Sequence, residues 1–181
     1  MIILYFLASY LLGTCLTAWF VGKFYGVSLQ EHHSGNLGAR NAGKTLGKIA
    51  FIVTAIIDGL KGVIVVLIGR NLGFSENIIA IGMIFVLLGH LYPFWLKFKG
   101  GKGVATIIGA LIAFNSLYFC LFLAAFIVTV ILTKSVTWGM LGGFIGYSLF
   151  ILLYQTIDWP IICSIVLVIF KHRQNFKERL M

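Results

Sequence analysis

The sequence predicts an all-α integral membrane protein with about seven transmembrane helices. Sixty per cent of the 181 residues are hydrophobic, only 10% are charged, and the apolar residues form long runs. A soluble domain carries roughly 25% charged residues, and a disordered chain is poor in apolar residues, so both classes are excluded. Because about 20 apolar residues are needed for each spanning helix, we expect one polytopic membrane domain over residues 1–181.

Seven apolar runs follow one another along the chain, and each predicts one helix. The first begins at the N-terminus without the basic segment of a signal peptide. The second contains two charged residues, Asp58 and Lys61, and the fourth and seventh are short for a bilayer span. The predicted spans are residues 2–22, 48–69, 77–96, 103–115, 116–133, 136–154 and 157–171.

The basic residues predict the orientation of the helices. All but two of the 14 Lys and Arg residues fall in the odd-numbered connections and the C-terminal tail. The two exceptions are Lys61, inside a span, and Arg70, in an even-numbered connection. Because Lys- and Arg-rich loops stay in the cytoplasm, we expect the N-terminus outside and the C-terminus inside. An error of one span would scatter the positive charges over both faces.

The first cytoplasmic connection contains a glycine- and asparagine-rich segment, residues 31–47, which we term the first motif. Its sequence is EHHSGNLGARNAGKTLG. Closely spaced glycines let backbone N–H groups converge on an anion, while Arg40 and Lys44 add positive charge. The alternative is a flexible loop of turn-forming residues. The density of donors favours a re-entrant or structured loop that binds phosphate.

The second motif, residues 89–106, reads GHLYPFWLKFKGGKGVAT. Lys99 and Lys102 flank a glycine turn, and a helix is predicted from Val104. Glycines before a helix N-terminus form an anion site; the alternative is that these lysines face lipid phosphates. His90, at the cytoplasmic end of a span, is either a group for proton transfer or a histidine bonded to a backbone carbonyl.

The third motif, residues 171–179, reads KHRQNFKER and follows the last span directly. Its lysines and Arg179 are typical of the basic segment that ends a membrane helix. His172 and Asn175 are not needed for that purpose, and at a spacing of three they share one helix face.

Asp58 and Lys61 have the same spacing inside the second span. A charge pair within a membrane is costly unless further partners satisfy it. The pair either supports the phosphate loops or a ligand, or it is a structural pair between helices, and the sequence leaves both interpretations open.

The three cysteines, Cys15, Cys120 and Cys163, lie in apolar runs. The sequence contains neither a CxxC pair nor the His, Cys and carboxylate spacing of a zinc site. We therefore expect no metal and no cofactor.

Four segments together resemble a known family. SGNLGARNAGKTLGK, DGLKG, GHLYPFWLKFKGGKGVAT and HRQNFKERL, in this order, are similar to motifs of the PlsY-type acyl-phosphate:glycerol-3-phosphate acyltransferases. The resemblance implies an enzyme of the bacterial inner (plasma) membrane with its active site on the cytoplasmic face. It implies transfer of an acyl chain from acyl phosphate to the 1-hydroxyl of glycerol 3-phosphate, which yields lysophosphatidate and phosphate in the first step of phospholipid synthesis.

The resemblance also implies site residues and partners, and the chain departs from the family pattern at Arg40. The implied partners are the two substrates, the lipid bilayer and an upstream enzyme that makes acyl phosphate, with no nucleic acid. This chain has Arg40 where the family often has threonine, which marks a subgroup with a changed substrate preference. The residues assigned to the phosphates are Ser34, Gly35, Asn36, Gly38, Arg40, Asn41, Lys44, Lys99, Gly100, Gly101, Lys102, Gly103, Thr106 and Arg173, and those assigned to catalysis are His90, His172 and Asn175.

The chemistry of an acyl phosphate agrees with these residues. Its leaving group is already good, so no covalent acyl-enzyme is required, and the sequence contains no GxSxG nucleophile elbow. We expect direct attack by the glycerol 3-phosphate hydroxyl. The proton acceptor is His90, His172 or a substrate phosphate oxygen, and the sequence does not choose among them.

Two alternatives use the same residues differently. A transporter of a phosphorylated metabolite would have phosphate loops too, but transporters usually show internal repeats and a site at the membrane midplane. A non-catalytic subunit would use the basic face to dock an acidic partner. It would tolerate Lys102→Arg, whereas a phosphate site of fixed geometry would not.

Overall fold

A computed structural model describes residues 1–154 and 159–180, and every regular element in these ranges is helical. The prediction of an all-α membrane protein is confirmed. Short 3₁₀ turns at Leu29–Glu31 and Phe94–Leu96 lie in the connections. The α-helices are α1 (Ile2–Thr14), α2 (Thr17–Phe24), α3 (Ala39–Leu46), α4 (Lys48–Asn71), α5 (Glu76–Leu91), α6 (Val104–Phe114), α7 (Ser116–Thr133), α8 (Val136–Tyr154), α9 (Trp159–Lys171) and α10 (Arg173–Leu180).

Five helical segments within the described residues are long and apolar enough to cross a bilayer. They are α1 with α2, then α4, α5 with the following turn, α7 and α8. The predicted fourth and seventh spans correspond to the shorter α6 and α9, of 11 and 13 residues. At 1.5 Å per residue, α6 rises roughly 16 Å, about half of the hydrocarbon core. Seven crossings, their orientation and one domain over residues 1–181 stay predictions.

The first apolar run differs from its prediction, because the helix expected over residues 2–22 is divided into α1 and α2. Leu16 adopts extended backbone angles, φ −78° and ψ 110°. No proline lies in this run, so no local signal marks the break. The cause is tertiary, since two charged side chains of α4 bind the backbone on either side of it.

Helices α4 and α6 pack with their backbones in contact. A Cβ atom on Gly62 would collide with the Thr106 carbonyl oxygen and lie 2.6 Å from the Ala110 nitrogen. Gly109 of α6 faces the backbone of Gly59 in the same way. Small residues permit such approach between membrane helices. The start of α6 is therefore held beside the middle of α4.

Arg70 fixes the other end of α6. Its guanidinium donates to the carbonyl oxygens of Ala113, at 2.9 Å, and Phe114, at 2.6 Å, and lies 3.8 Å from the Glu76 carboxylate. The last carbonyls of a helix have no intrahelical partner and carry the negative end of its dipole. The half-length helix α6 is thus capped at its C-terminus by a cation from the end of α4.

We predict that Gly62→Ala destabilises the protein by about 1–3 kcal/mol, because the added methyl group overpacks a backbone contact. The measurement is thermal unfolding in detergent, followed by tryptophan fluorescence. Gly59→Ala is the matched control in the same helix: its Cβ would lie 3.5 Å from the Ala105 carbonyl oxygen, an ordinary contact. Equal midpoints for the two variants would contradict the close α4–α6 packing.

Candidate active site

The charge pair of α4 caps both ends of the break in the first helix. The Lys61 ammonium donates to the carbonyl oxygens of Cys15, at 2.9 Å, and Gly13, at 3.5 Å. The Asp58 carboxylate accepts from the Thr17 hydroxyl at 2.8 Å and from its N–H at 3.4 Å. Each charge therefore faces the helix end of opposite dipole sign. The two side chains lie 2.8 Å apart and are buried.

His90 joins this pair to the second motif. Its Nδ1 atom lies 3.2 Å from the Lys61 ammonium and 3.4 Å from the Thr106 hydroxyl. A Cβ atom on Gly101 would collide with the Nε2 atom of His90 and lie 2.8 Å from the Leu37 carbonyl oxygen of the first motif. His90 and Thr106 are buried, so the imidazole links α4, α6 and the glycine turn of the second motif.

The glycine turn of the second motif is held against the end of α5. The N–H groups of Gly100 and Gly101 donate to the carbonyl oxygens of Leu91, at 3.2 Å, and His90, at 3.0 Å. These two amides, which the sequence interpretation assigned to phosphate, are therefore paired, and their phosphate role stays a prediction. Gly103 has a left-handed φ of 79°, and from it the chain enters the first turn of α6, whose N–H groups have no intrahelical partner.

The third motif meets the second one directly. The Lys102 ammonium donates to the Asn175 side-chain oxygen, and His172 Nδ1 lies 2.9 Å from the Val168 carbonyl oxygen. A carbonyl only accepts, so Nδ1 carries a proton and Nε2 of the neutral ring keeps its lone pair. Burial lowers the pKa of His172, as do the charges of Lys102 and Arg40, against the opposing effect of the Val168 hydrogen bond.

The first motif is organised by the buried Asn41 of α3. Its side-chain NH₂ donates to the Leu29 carbonyl oxygen at 2.8 Å, and its oxygen lies 3.3 Å from the Ser34 hydroxyl. Asn41 thus ties Ser34 and the preceding turn at Leu29 to α3. Arg40 is exposed, and its charge contributes to the lowered pKa of His172 in the third motif.

The residues between Ser34 and α3 form a tight turn. Gly35 has a left-handed φ of 64°, where a Cβ atom would lie 2.8 Å from the Gln30 carbonyl oxygen. The N–H of Gly38 donates to the Asn36 carbonyl oxygen at 3.1 Å. Glycine is required at Gly35 for this path, which brings Leu37 to the second motif.

Three of the predicted phosphate ligands lie outside these contacts. The Arg173 guanidinium packs 4.3 Å from the Phe170 ring centre and donates to the Phe170 carbonyl oxygen at 3.3 Å. Lys44 and Lys99 are exposed. Their roles as phosphate ligands stay predictions.

Sequence reasoning missed Thr17 and Arg70. Thr17 stands in an apolar run with no local sign of a helix break. In the sequence, Arg70 is only an exception to the charge pattern. Within residues 1–154 and 159–180, no group of three His, Cys, Asp or Glu side chains is arranged to hold a metal ion.

Comparison with known proteins gives one consistent family. Residues 3–181 match the family model of glycerol-3-phosphate acyltransferase. A glycerol-3-phosphate acyltransferase of Streptococcus thermophilus is 37% identical over 186 residues, covering 96% of this chain and 87% of the relative. Glycerol-3-phosphate acyltransferase 1 of Bacillus cereus is 45% identical over 135 residues, covering 74% of each chain.

The fold also matches solved structures of PlsY, an integral membrane glycerol 3-phosphate acyltransferase. The glycerol 3-phosphate form superposes with a TM-score of 0.89 at 27% identity, covering 99% of this chain and 92% of that one. The lysophosphatidic acid form superposes with a TM-score of 0.87 at the same identity. The three motifs of this helical membrane bundle meet at one end, and the match extends over almost the whole chain. The chain thus belongs to the PlsY-type glycerol-3-phosphate acyltransferase family.

Proposed function

We propose that this protein transfers an acyl chain from acyl phosphate to the 1-hydroxyl of glycerol 3-phosphate. The observation that carries the proposal is the contact between the three motifs: Lys102 binds Asn175, Leu37 lies against Gly101, and the charge of Arg40 acts on His172. Two cations beside a helix N-terminus suit a phosphate-bearing substrate. A similar PlsY structure contains glycerol 3-phosphate and another lysophosphatidic acid, which supports that substrate and product here.

In the proposed reaction the substrate hydroxyl oxygen attacks the acyl carbonyl carbon. The bond from that carbon to the phosphate oxygen breaks, and phosphate leaves with the electron pair. His172 suits the role of proton acceptor. Its Nδ1–H donates to the Val168 carbonyl oxygen, so its Nε2 atom carries the lone pair that accepts a proton. His90 suits that role less, because its Nδ1 already faces the Lys61 ammonium.

Asn175 and Lys102 complete the proposed site. The side-chain oxygen of Asn175 accepts a hydrogen bond from Lys102. The NH₂ group of Asn175 is then the donor for the developing oxyanion. Lys102 supplies charge for a phosphate. Because the acyl donor already carries a good leaving group, the reaction passes through no acyl-enzyme.

A cavity beside the first motif suits an amphipathic acyl donor. Its volume is about 580 Å³. Apolar side chains form part of its wall together with the ammonium of Lys23, which lies 5.4 Å from the centre of the Trp19 ring. The lining residues are Trp19, Lys23, Gly26, Val27, Ser28, Leu29, Gln30 and Leu37.

We further propose that the protein lies in the bacterial plasma membrane with this site on the cytoplasmic face. The surplus of nine positive charges and its placement in alternate connections support this orientation. On that face the substrate would come from an enzyme that makes acyl phosphate.

The purified protein in detergent should form lysophosphatidate and phosphate from acyl phosphate and glycerol 3-phosphate. The measurement follows both products without acyl-CoA present. Product that appears only with acyl-CoA, or no product, would show that the proposed donor or reaction is wrong. A flux assay in proteoliposomes tests the transporter alternative, which predicts movement of glycerol 3-phosphate without acyl transfer.

His172→Asn should lower kcat about 10²- to 10⁴-fold, the usual contribution of a general base. Because burial and neighbouring cations lower the pKa of His172 from its ordinary value of 6.5, the ring stays neutral at pH 7 and the acidic limb of the pH–rate profile lies below pH 6.5. Arg40→Thr removes one of those cations and so raises the pKa of His172. The acidic limb of the pH–rate profile of this variant should therefore move to higher pH. Full turnover in both His172→Asn and His90→Asn would instead assign the proton to a substrate phosphate.

A further inference from the structure

The buried Asp58–Lys61 pair has more partners than a bond between two helices requires. We define the buried polar network as Thr17, Asp58, Lys61, His90 and Thr106, all of them buried. Its centre is the Lys61 ammonium, which lies within 3.5 Å of a carboxylate, two backbone carbonyls and an imidazole nitrogen. These contacts join the broken first helix to α4, α5 and α6.

The network determines which nitrogen of His90 carries the proton. An ammonium group donates and cannot accept, so Nδ1 is the acceptor in a hydrogen bond between Lys61 and His90. In the neutral imidazole the proton then lies on Nε2. That edge of the ring faces Gly101, and a Cβ atom there would collide with it. The tautomer of His90 is thus assigned by a charge in a neighbouring helix.

The glycine turn of the second motif is also bonded to the backbone of His90. The Gly101 N–H donates to the His90 carbonyl oxygen at 3.0 Å, and the next residue, Lys102, binds Asn175. Because the His90 ring lies against Gly101, a change in the orientation of the ring reaches Lys102, the next residue. On the other side, Leu37 of the first motif approaches the same glycine.

We propose that Asp58 and Lys61 are positioning residues for acyl transfer, which act through His90 by holding it in the Nε2–H tautomer and in one orientation against the glycine turn. Neither side chain touches the Arg40, Lys102, His172 and Asn175 cluster in the contacts described. The network instead aligns the second motif with the first and third. The effect on turnover rests on the proposed function, whereas the tautomer does not.

The test uses the full-length protein in detergent with ¹⁵N-labelled histidine. The chain has four histidines, and the His90 signals are those lost in His90→Asn. In the unchanged protein we expect a protonated Nε2 and an unprotonated Nδ1. A protonated Nδ1 would overturn the proposal whatever the enzyme activity, because the protonation state is measured in the unchanged protein and His90→Asn serves only to assign the signals.

The double variant Asp58→Asn plus Lys61→Gln keeps hydrogen-bonding groups at both positions and removes both charges together, which avoids leaving one unpaired buried charge. Because the Gln amide accepts as well as donates, the tautomer is no longer enforced. We expect a shift toward protonated Nδ1 and a roughly 10- to 100-fold lower kcat, with a smaller change in KM for glycerol 3-phosphate. Lys134→Gln, at an exposed position, is the charge-removal control and should change neither.

An unaltered tautomer in the folded double variant would overturn the proposal, and so would a shifted tautomer with full turnover. An unchanged protein that lacks acyl transfer but has the expected tautomer would contradict the proposed function while supporting the assignment of the network.

Discussion

The structure depends on a buried ion pair that bridges a broken helix. A charge pair inside an apolar bundle is costly unless further groups satisfy it, and an interrupted helix leaves backbone groups without partners. Lys61 and Asp58 satisfy both requirements, because the ammonium binds carbonyls at the end of α1 and the carboxylate binds Thr17 at the start of α2. The break and the pair therefore stabilise one another, and removing either partner alone should be more damaging than changing both.

The second structural device is the short helix α6, whose 11 residues rise about half the thickness of a hydrocarbon core. Arg70 caps the C-terminal carbonyls of α6, while Gly103 begins it beside the glycine turn. Close contact with Gly62 fixes its position along α4. A helix fixed at its far end presents its first turn, with unpaired N–H groups and a positive dipole end, at a constant place. That place is where the three motifs meet.

The site illustrates a division between residues that contact substrate in the proposal and residues that shape loops. Asn41 and the amides of Gly100 and Gly101 have partners within the protein, although their motifs contain the donors expected of a phosphate loop. Arg40, Lys102, His172 and Asn175 form the cluster with the charge and hydrogen-bonding capacity for chemistry. Arg40 adds a cation, and its charge contributes to the lowered pKa of His172.

Sequence alone determined the helical membrane class, the three motifs and the family, because these follow from composition, charge order and residue identity along the chain. It also showed that Asp58 and Lys61 needed partners, without showing which. Only the tertiary structure decided that the partners are a break in the first helix and His90, and that the amides of Gly100 and Gly101 cap the end of α5. The physical reason is that a hydrogen-bond partner is chosen by packing between helices far apart in the chain, which no local pattern records.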